Sequence, residues 1–219
     1  MSISKFKKKY KHVSTYKKID LIIKEKLKEI FKNQIKILEF GVDKGISTAL
    51  FLEFCEDLNG SLYSVDTIDY AKHFNNSKWK FLKCRDDDYA TIKKNVDFPV
   101  DIIFLDTEHT PNHVEKIFYH YFDKLKKGGI FIIDDISWLP YQKNKKRNNE
   151  WIENNNKQTF LKILDIANSN EKNIKLEFIF LYSGLAIITK INNKLNKPKK
   201  INSREYSLKN ILRKLIKNK

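Results

Sequence analysis

Two apolar runs of this chain each end in acids. Val100-Asp101-Ile102-Ile103-Phe104-Leu105 delivers Asp106, with Glu108 and His109 close behind, and Gly129-Ile130-Phe131-Ile132-Ile133 delivers Asp134 and Asp135. If both runs are buried strands of one parallel sheet, the acids stand at the carboxyl ends of the strands, the edge where such sheets bind ligands. Neighbouring strands lie about 4.8 Å apart, so three carboxylates would converge and their repulsion would call for a cation or a proton. Oxygen ligands without a nearby cysteine suit Mg²⁺, with Mn²⁺ and Ca²⁺ as alternatives. An imidazole such as His109, with an ordinary pKa of about 6.5, can take a proton at neutral pH, and Glu108 is the competing base.

A second constellation lies upstream. Ile37-Leu38-Glu39-Phe40-Gly41-Val42-Asp43-Lys44-Gly45-Ile46-Ser47 reads as a buried strand, a glycine turn and the start of a helix. Glycine permits positive φ and close approach of a ligand to the backbone, and the helix start offers free N–H groups. A dinucleotide fingerprint counted from Gly41 would need glycines at 43 and 46, where Asp43 and Ile46 stand. Aspartate there sets bulk and like charge against a pyrophosphate, which disfavours NAD and FAD. The Walker lysine pattern is absent as well.

The spacing E-x-G-x-x-x-G-x-S, from Glu39 through Gly41 and Gly45 to Ser47, resembles motif I of the class I S-adenosylmethionine (SAM) methyltransferases. The resemblance implies that the turn wraps the methionine part of SAM, with Glu39 fixing the loop or meeting the ammonium through water. Ser61-Leu62-Tyr63-Ser64-Val65 then ends at Asp66, about 25 residues after Gly41, where an acid grips ribose hydroxyls in nucleotide-binding α/β folds. Trp79-Lys80-Phe81-Leu82-Lys83-Cys84 runs into Arg85-Asp86-Asp87-Asp88, and in the family the residues after this strand face the adenine, which makes Arg85 and Asp86 the candidates. An acidic helix N-terminus explains the aspartate run equally well. Leu105-Asp106-Thr107-Glu108-His109 with Ile133-Asp134-Asp135-Ile136 resembles the metal-dependent small-molecule O-methyltransferases, particularly the macrocin and cephalosporin hydroxylase-like branch. In that branch Asp106, Asp134 and Asp135 would ligate Mg²⁺, and Asp106 would also meet SAM. Glu108 departs from the branch, which commonly has an aspartate there as base.

The elements that must position these residues alternate: helix 15–32, strand 35–40, helix 45–57, strands 61–66 and 79–84, helix 87–95, strand 100–106, helix 111–126, strand 129–134, helix 157–168, and strands 175–182 and 185–190. That order predicts an α/β fold, a doubly wound, Rossmann-like, three-layer α/β/α domain on a mostly parallel seven-stranded sheet. Ser183-Gly184 between the last two strands predicts a tight, C-terminal antiparallel hairpin, a feature of the methyltransferase family. Thr110-Pro111 should start the helix at 111, whose core stripe is Val114, Ile117, Phe118, Tyr121 and Leu125. His113 in its first turn is expected in solvent, with a site-facing position as the alternative. Residues 137–156 read as a long loop and an acceptor-side lid carrying Trp138, Tyr141 and Trp151.

The chain divides into a basic N-terminal arm and helix (1–34), a methyltransferase domain (35–190) and a basic C-terminal tail (191–219). Its 219 residues carry a net charge of +16, which invites a nucleic-acid reading. Of the 43 lysines and arginines, seven fall in residues 1–18 and ten in residues 191–219; Glu205 is the sole acid in those ends, which leaves 26 basic and 26 acidic side chains between them. The body is neutral, and a polyanion-gripping cleft is not expected. After Ser207 the tail predicts a basic amphipathic helix, with Leu208, Ile211, Leu212, Leu215 and Ile216 on one side, expected to dock on the body or in a homo-oligomer rather than on an anionic membrane. Cys55 and Cys84 form no CxxC pair, and neither a spanning segment nor a signal-peptide core is evident, so a reducing, cytoplasmic setting is expected.

The expected activity is methyl transfer from SAM to an oxygen of a small hydroxylated acceptor, with divalent-metal assistance. An RNA methyltransferase using basic terminal arms is the first alternative. The Asn/Asp-Pro-Pro-Tyr/Phe stretch of adenine amino-methylation is missing where Asp106-Thr107-Glu108-His109 stands. The second alternative is a non-catalytic SAM-fold module whose tail helix binds a partner.

Overall fold

The computed structural model describes residues 3–137, 149–202 and 207–217. Its elements are α1 (Ile3–Tyr10), α2 (Ser14–Ile22), α3 (Lys28–Ile30), β1 (Lys36–Phe40), α4 (Ile46–Asp57), β2 (Ser61–Asp66), β3 (Trp79–Lys83), α5 (Tyr89–Asn95), β4 (Val100–Leu105), α6 (Pro111–Tyr121), β5 (Leu125–Asp134), α7 (Glu150–Ser169), β6 (Ile174–Ile179), β7 (Leu185–Lys190) and α8 (Leu208–Lys217). The seven strands form one sheet in the order β3-β2-β1-β4-β5-β7-β6, with β7 antiparallel to both neighbours and every other pair parallel. This is the expected doubly wound sheet with its terminal hairpin. Chain order reverses between β1 and β4, so a crevice opens at their carboxyl ends.

The strands of the sheet centre are mostly apolar because both faces are covered, with Glu39 on β1 and Asp101 on β4 as buried acids among them. Along β4, Ile102 and Phe104 face a core built from α1, α2 and α4, including Phe6, Ile19, Ile22, Phe51 and Phe54. Ile103 and Leu105 face the opposite core, with Val114, Ile117 and Phe118 of α6 and Ile163 and Ile166 of α7. Register then sets the site. Phe40 pairs with Val65 on one side and Leu105 on the other, and Leu105 pairs with Ile133. Gly41, Asp66, Asp106 and Asp134 are the next residues along their strands and line up along one edge.

Several elements differ from the sequence expectation. The basic N-terminus carries a helix of its own: Phe6 on α1 is buried, its ring centroid 5.3 Å from that of Phe74, and Lys7 donates to Glu53 at 2.6 Å. A short helix with one buried anchor among four lysines offers little periodic signal. The helix predicted over 15–32 is interrupted by a π turn at Ile23–Leu27. β5 begins at Leu125, four residues early, so α6 ends at Tyr121 and is followed by a single 3₁₀ turn, Phe122–Lys124. β6 stops at Ile179, so the hairpin link is Phe180–Gly184 rather than a two-residue turn, with Tyr182 (φ 57°) and Gly184 (φ 76°) both left-handed.

Helix α7 starts at Glu150, seven residues before the prediction. Asn149 caps it by accepting from the Ile152 N–H at 3.2 Å, and Glu150 and Glu153 in the first turn suit the helix dipole. Its first two turns carry only Trp151 and Ile152 among polar residues, and both line a cavity rather than the core. Trp151 therefore sits on a helix, while Trp138 and Tyr141 lie outside the described residues. The tail helix α8 does form, with Leu208 at 80 % and Ile216 at 74 % exposed, so of the two expected packings, on the body or in a homo-oligomer, these side chains do not make the first.

Candidate active site

Gly41 takes φ 93°, and a methyl group built there would stand 1.9 Å from the Asp106 carbonyl oxygen. The absence of a side chain is therefore what allows β1 and β4 to close, through Asp106 N–H to Phe40 O at 2.8 Å. Gly45 (φ 73°) is the N-cap of α4. Between them Asp43 adopts φ 45°, a left-handed conformation aspartate tolerates better than most residues.

Glu39 is fully buried. Its Oε1 accepts from Ser47 Oγ at 2.6 Å, and its Oε2 accepts from Thr48 Oγ1 at 2.8 Å and Ser64 Oγ at 2.6 Å. Burial pushes its carboxyl up to about 7 despite those three hydroxyls. Of the two roles the sequence left open, the geometry is that of fixing the loop: Glu39 ties β1 to the first turn of α4 and to β2. Ser47 is likewise buried, and its hydroxyl serves Glu39.

Asp66 ends β2 and holds the turn from the other side. Its Oδ2 accepts the Val42 N–H at 2.8 Å and its Oδ1 the Ile68 N–H at 3.0 Å. Each carboxylate oxygen has a second lone pair, so acceptor capacity remains toward the cavity it lines. That cavity, of about 270 Å³, is bordered by Gly41, Asp66, Arg85, Asp86, Asp106 and His113 among others. Asp86 is buried and accepts from Thr107 Oγ1 at 2.5 Å, and its Oδ2 is 2.7 Å from His113 Nε2. An acceptor-only carboxylate assigns the proton to that nitrogen. His113, expected in solvent, is buried at 8 % exposure because Asp86 supplies the partner that sequence could not locate. Arg85 is exposed and pairs with Asp87 at 3.0 Å, while Asp88 caps α5 by accepting the Thr91 N–H at 3.2 Å. The aspartate run thus divides between cavity, surface pair and helix cap. Thr110 is at the N-cap of α6, but its hydroxyl donates to Glu108 instead, at 2.8 Å.

A second cavity, of about 650 Å³, shares Thr107 and Glu108 with the first. His109, Asp135, Trp151, Asn155 and Ser183 also line it. The His109 carbonyl accepts from Asn155 Nδ2 and Thr159 Oγ1, both at 2.7 Å, so α7 pins the loop that bears the imidazole. His109 Nε2 lies 3.4 Å from Asp106 Oδ1 and 3.8 Å from Asp135 Oδ2. Burial would lower its pKa, but the Asp106 contact and the charges of Asp135 and Asp134 outweigh it and the net shift is upward.

Asp134 and Asp135 stand beside Asp106, as adjacent parallel strands require, yet a lysine stands among them. Lys18 of α2, 2 % exposed, donates to Asp134 Oδ1 and, at 2.5 Å, to Ser183 Oγ, and lies 3.7 Å from Asp135 Oδ1. Burial and the charge of Asp106 push the Asp134 carboxyl upward, and Lys18 opposes them. Among the described residues, no three carboxylate, imidazole or thiol groups are arranged to hold one metal ion. The residues at this point therefore do not fit the Mg²⁺ site that the resemblance implied. Lys18 and Ser183 were invisible in the sequence: one is among seven lysines of the N-terminal stretch, the other reads as a turn residue.

No curated protein matches the sequence. Among solved structures, the chain is similar to a Staphylococcus aureus protein provisionally named a caffeoyl-CoA O-methyltransferase, at 21 % identity and TM-score 0.61, covering 79 % of this chain and 82 % of that one. It is similar to the MycE methyltransferase of the mycinamycin biosynthetic pathway, solved with Mg, SAH (S-adenosylhomocysteine) and mycinamycin VI, at 21 % identity and TM-score 0.54, covering 74 % of this chain. The match spans 46 % of the MycE chain, about half its length. A Clostridium thermocellum protein provisionally named an rRNA methylase shares 18 % identity at TM-score 0.57, covering 83 % and 97 % of the two chains. The family model described as a methyltransferase domain matches residues 38–136, the stretch from β1 to just past Asp135 that holds both cavities' shared wall, and the seven-stranded sheet with its helices has the class I SAM-dependent methyltransferase fold.

Proposed function

We propose that this protein transfers a methyl group from SAM to a hydroxyl group of a small acceptor. The observation that carries the reading is the pair of cavities meeting at Thr107 and Glu108, one bordered by the glycine turn and Asp66, the other by His109 and Asp135. SAM in the first would have its ribose hydroxyls at Asp66 and its adenine toward Asp86 and His113. The sulfonium methyl would then point at the shared wall and into the second cavity.

Methyl transfer is an in-line displacement: the acceptor oxygen bonds to the methyl carbon as the carbon–sulfur bond breaks, and its electron pair stays on sulfur. The protein must align the two molecules, take the hydroxyl proton and exclude water. His109 is the better placed base. Glu108 is exposed and engaged with Thr110, whereas the His109 ring is held beside Asp106 and Asp135 at the acceptor cavity. Those carboxylates would stabilise the imidazolium formed when the proton arrives. A cavity wall carrying Glu108 and Asp135 disfavours a polyphosphate acceptor and suits a neutral or cationic one, such as a sugar or amino sugar. That acidic wall, with α1 packed on α4 rather than extended as an arm, weighs against RNA as acceptor.

The test is transfer of radiolabelled methyl from SAM to panels of hydroxylated small molecules and, separately, to RNA. Labelling of a small acceptor that is lost in His109→Gln supports the reading; labelling of RNA alone overturns it.

A further inference from the structure

The carboxylate cluster at the ends of β4 and β5 needs positive charge, and α2 delivers it. On that helix Lys18, Ile19 and Ile22 are the buried residues, so an ammonium is set into an otherwise apolar stripe and carried to a point 116 residues away in sequence. Asp134 Oδ1, the atom it meets, also accepts the Asp135 N–H at 2.6 Å. The ammonium's other contacts are Ser183 Oγ and Asp135 Oδ1.

We propose that Lys18 is a resident cation that fills the Asp106–Asp134–Asp135 cluster where a divalent ion would otherwise stand, so that the acceptor site works without a metal. Three features of the geometry carry this. The ammonium bonds one carboxylate oxygen of Asp134, and that oxygen's second acceptor position is taken by a backbone N–H. A small divalent ion such as Mg²⁺ demands near-octahedral oxygen contacts at about 2.0 to 2.1 Å, and an ammonium bonded to the same atom excludes them. Asp135 takes φ 54°, which turns its side chain so that Oδ1 faces Lys18 and Oδ2 faces His109. The cluster is thus a continuous row, Lys18, Asp135, His109 and Asp106, of which Asp135 and His109 line the acceptor cavity and Asp106 lines the donor cavity. Lys18 itself is buried and acts as a positioning residue: it neutralises Asp134 and anchors Ser183 and Asp135, which do border the acceptor cavity.

The inference rests on the methyl-transfer reading for what the row does to an acceptor, but the presence of a built-in cation is tested independently. Mn²⁺ is titrated into the full chain and into Lys18→Met while the free ion is followed by electron paramagnetic resonance. The wild type is expected to leave the free signal undiminished up to about 1 mM, the weak end of protein sites for divalent ions. Lys18→Met keeps an unbranched side chain along the same path, removes the charge and is expected to bind Mn²⁺ at least tenfold more tightly than the wild type. A merely structural lysine would not unmask an ion site. Mn²⁺ bound tightly by the wild type overturns the proposal, as does a folded Lys18→Met that binds no more than the wild type. If that variant does not fold, Asp134→Asn with Lys18 intact replaces it: no Mn²⁺ binding in either wild type or Asp134→Asn supports the proposal, and wild-type binding lost in Asp134→Asn overturns it. Failure of the methyl-transfer reading would show instead as absence of SAH binding, whatever Mn²⁺ does.

Discussion

Removing Glu39 tests how the donor turn is held. In Glu39→Ala, Ser47, Thr48 and Ser64 lose the acceptor their buried hydroxyls share, and a cavity opens between β1 and α4. An orphaned buried donor costs about 1 to 3 kcal/mol, and hydroxyls that rotate to a backbone carbonyl recover part of it, so the expected loss is about 3 to 5 kcal/mol. Glu39→Gln keeps the shape and separates charge from hydrogen bonding. The wild-type carboxyl is raised from 4.5 to about 7 by burial, so between those values the folded protein keeps a proton that the unfolded chain has released. Wild-type stability therefore falls as pH rises through that window, by at most about 3 kcal/mol at 1.36 kcal/mol per unit. Glutamine has no such term. Urea unfolding at about pH 5 and about pH 8 should show the glutamine variant near or slightly below the wild type at the lower pH and gaining on it at the higher. Curves for the two proteins that stay parallel in pH, or an alanine variant that loses less than about 1 kcal/mol, would refute the argument.

Three further outcomes follow from the same geometry. Gly41→Ala sets a methyl group 1.9 Å from the Asp106 carbonyl at φ 93° and should cost about 3 kcal/mol or more in a urea melt, whereas Gly128→Ala, also left-handed at φ 78° but with open space around it, should cost about 1 kcal/mol. His109 must be neutral to accept a proton and its pKa is raised, so kcat should climb with pH along a limb centred above 6.5; His109→Gln should lose that limb and about 100-fold in rate, and an unchanged limb would assign the base elsewhere. Asp86→Ala frees both His113 and Thr107 and should weaken SAH binding about tenfold by calorimetry, with undiminished affinity removing Asp86 from the adenine end.

The sheet was readable because its information is local. Apolar runs with acids at their ends, glycines at 41 and 45, and alternation with amphipathic helices such as α6 are patterns that a linear sequence displays. The row of Gly41, Asp66, Asp106 and Asp134 followed once those strands were neighbours in register. What escaped were pairings across the chain. Nothing near Lys18 distinguishes it from six other lysines, and only the packing of α2 on the sheet brings it to Asp134. His113 looked solvated until Asp86, 27 residues earlier, supplied its partner. For Glu39 the motif left two roles open, fixing the loop or meeting the ammonium, and only the three hydroxyls from α4 and β2 that enclose it show which geometry it has. Helix α7 was misjudged at its start because its first turns border a cavity rather than the core, and Trp151 and Ile152 followed by Glu153 and three asparagines leave no hydrophobic period to count.

The most direct test is calorimetric titration of the wild type and of Asp66→Ala with SAH. The account predicts binding in the micromolar range, without added metal, and at least tenfold weaker binding in the variant, because Asp66 is placed to meet the ribose hydroxyls and also holds the Val42 N–H. A folded wild-type protein that gives no binding, with or without Mg²⁺, would contradict the reading of the two cavities as the donor and acceptor sites of a methyltransferase.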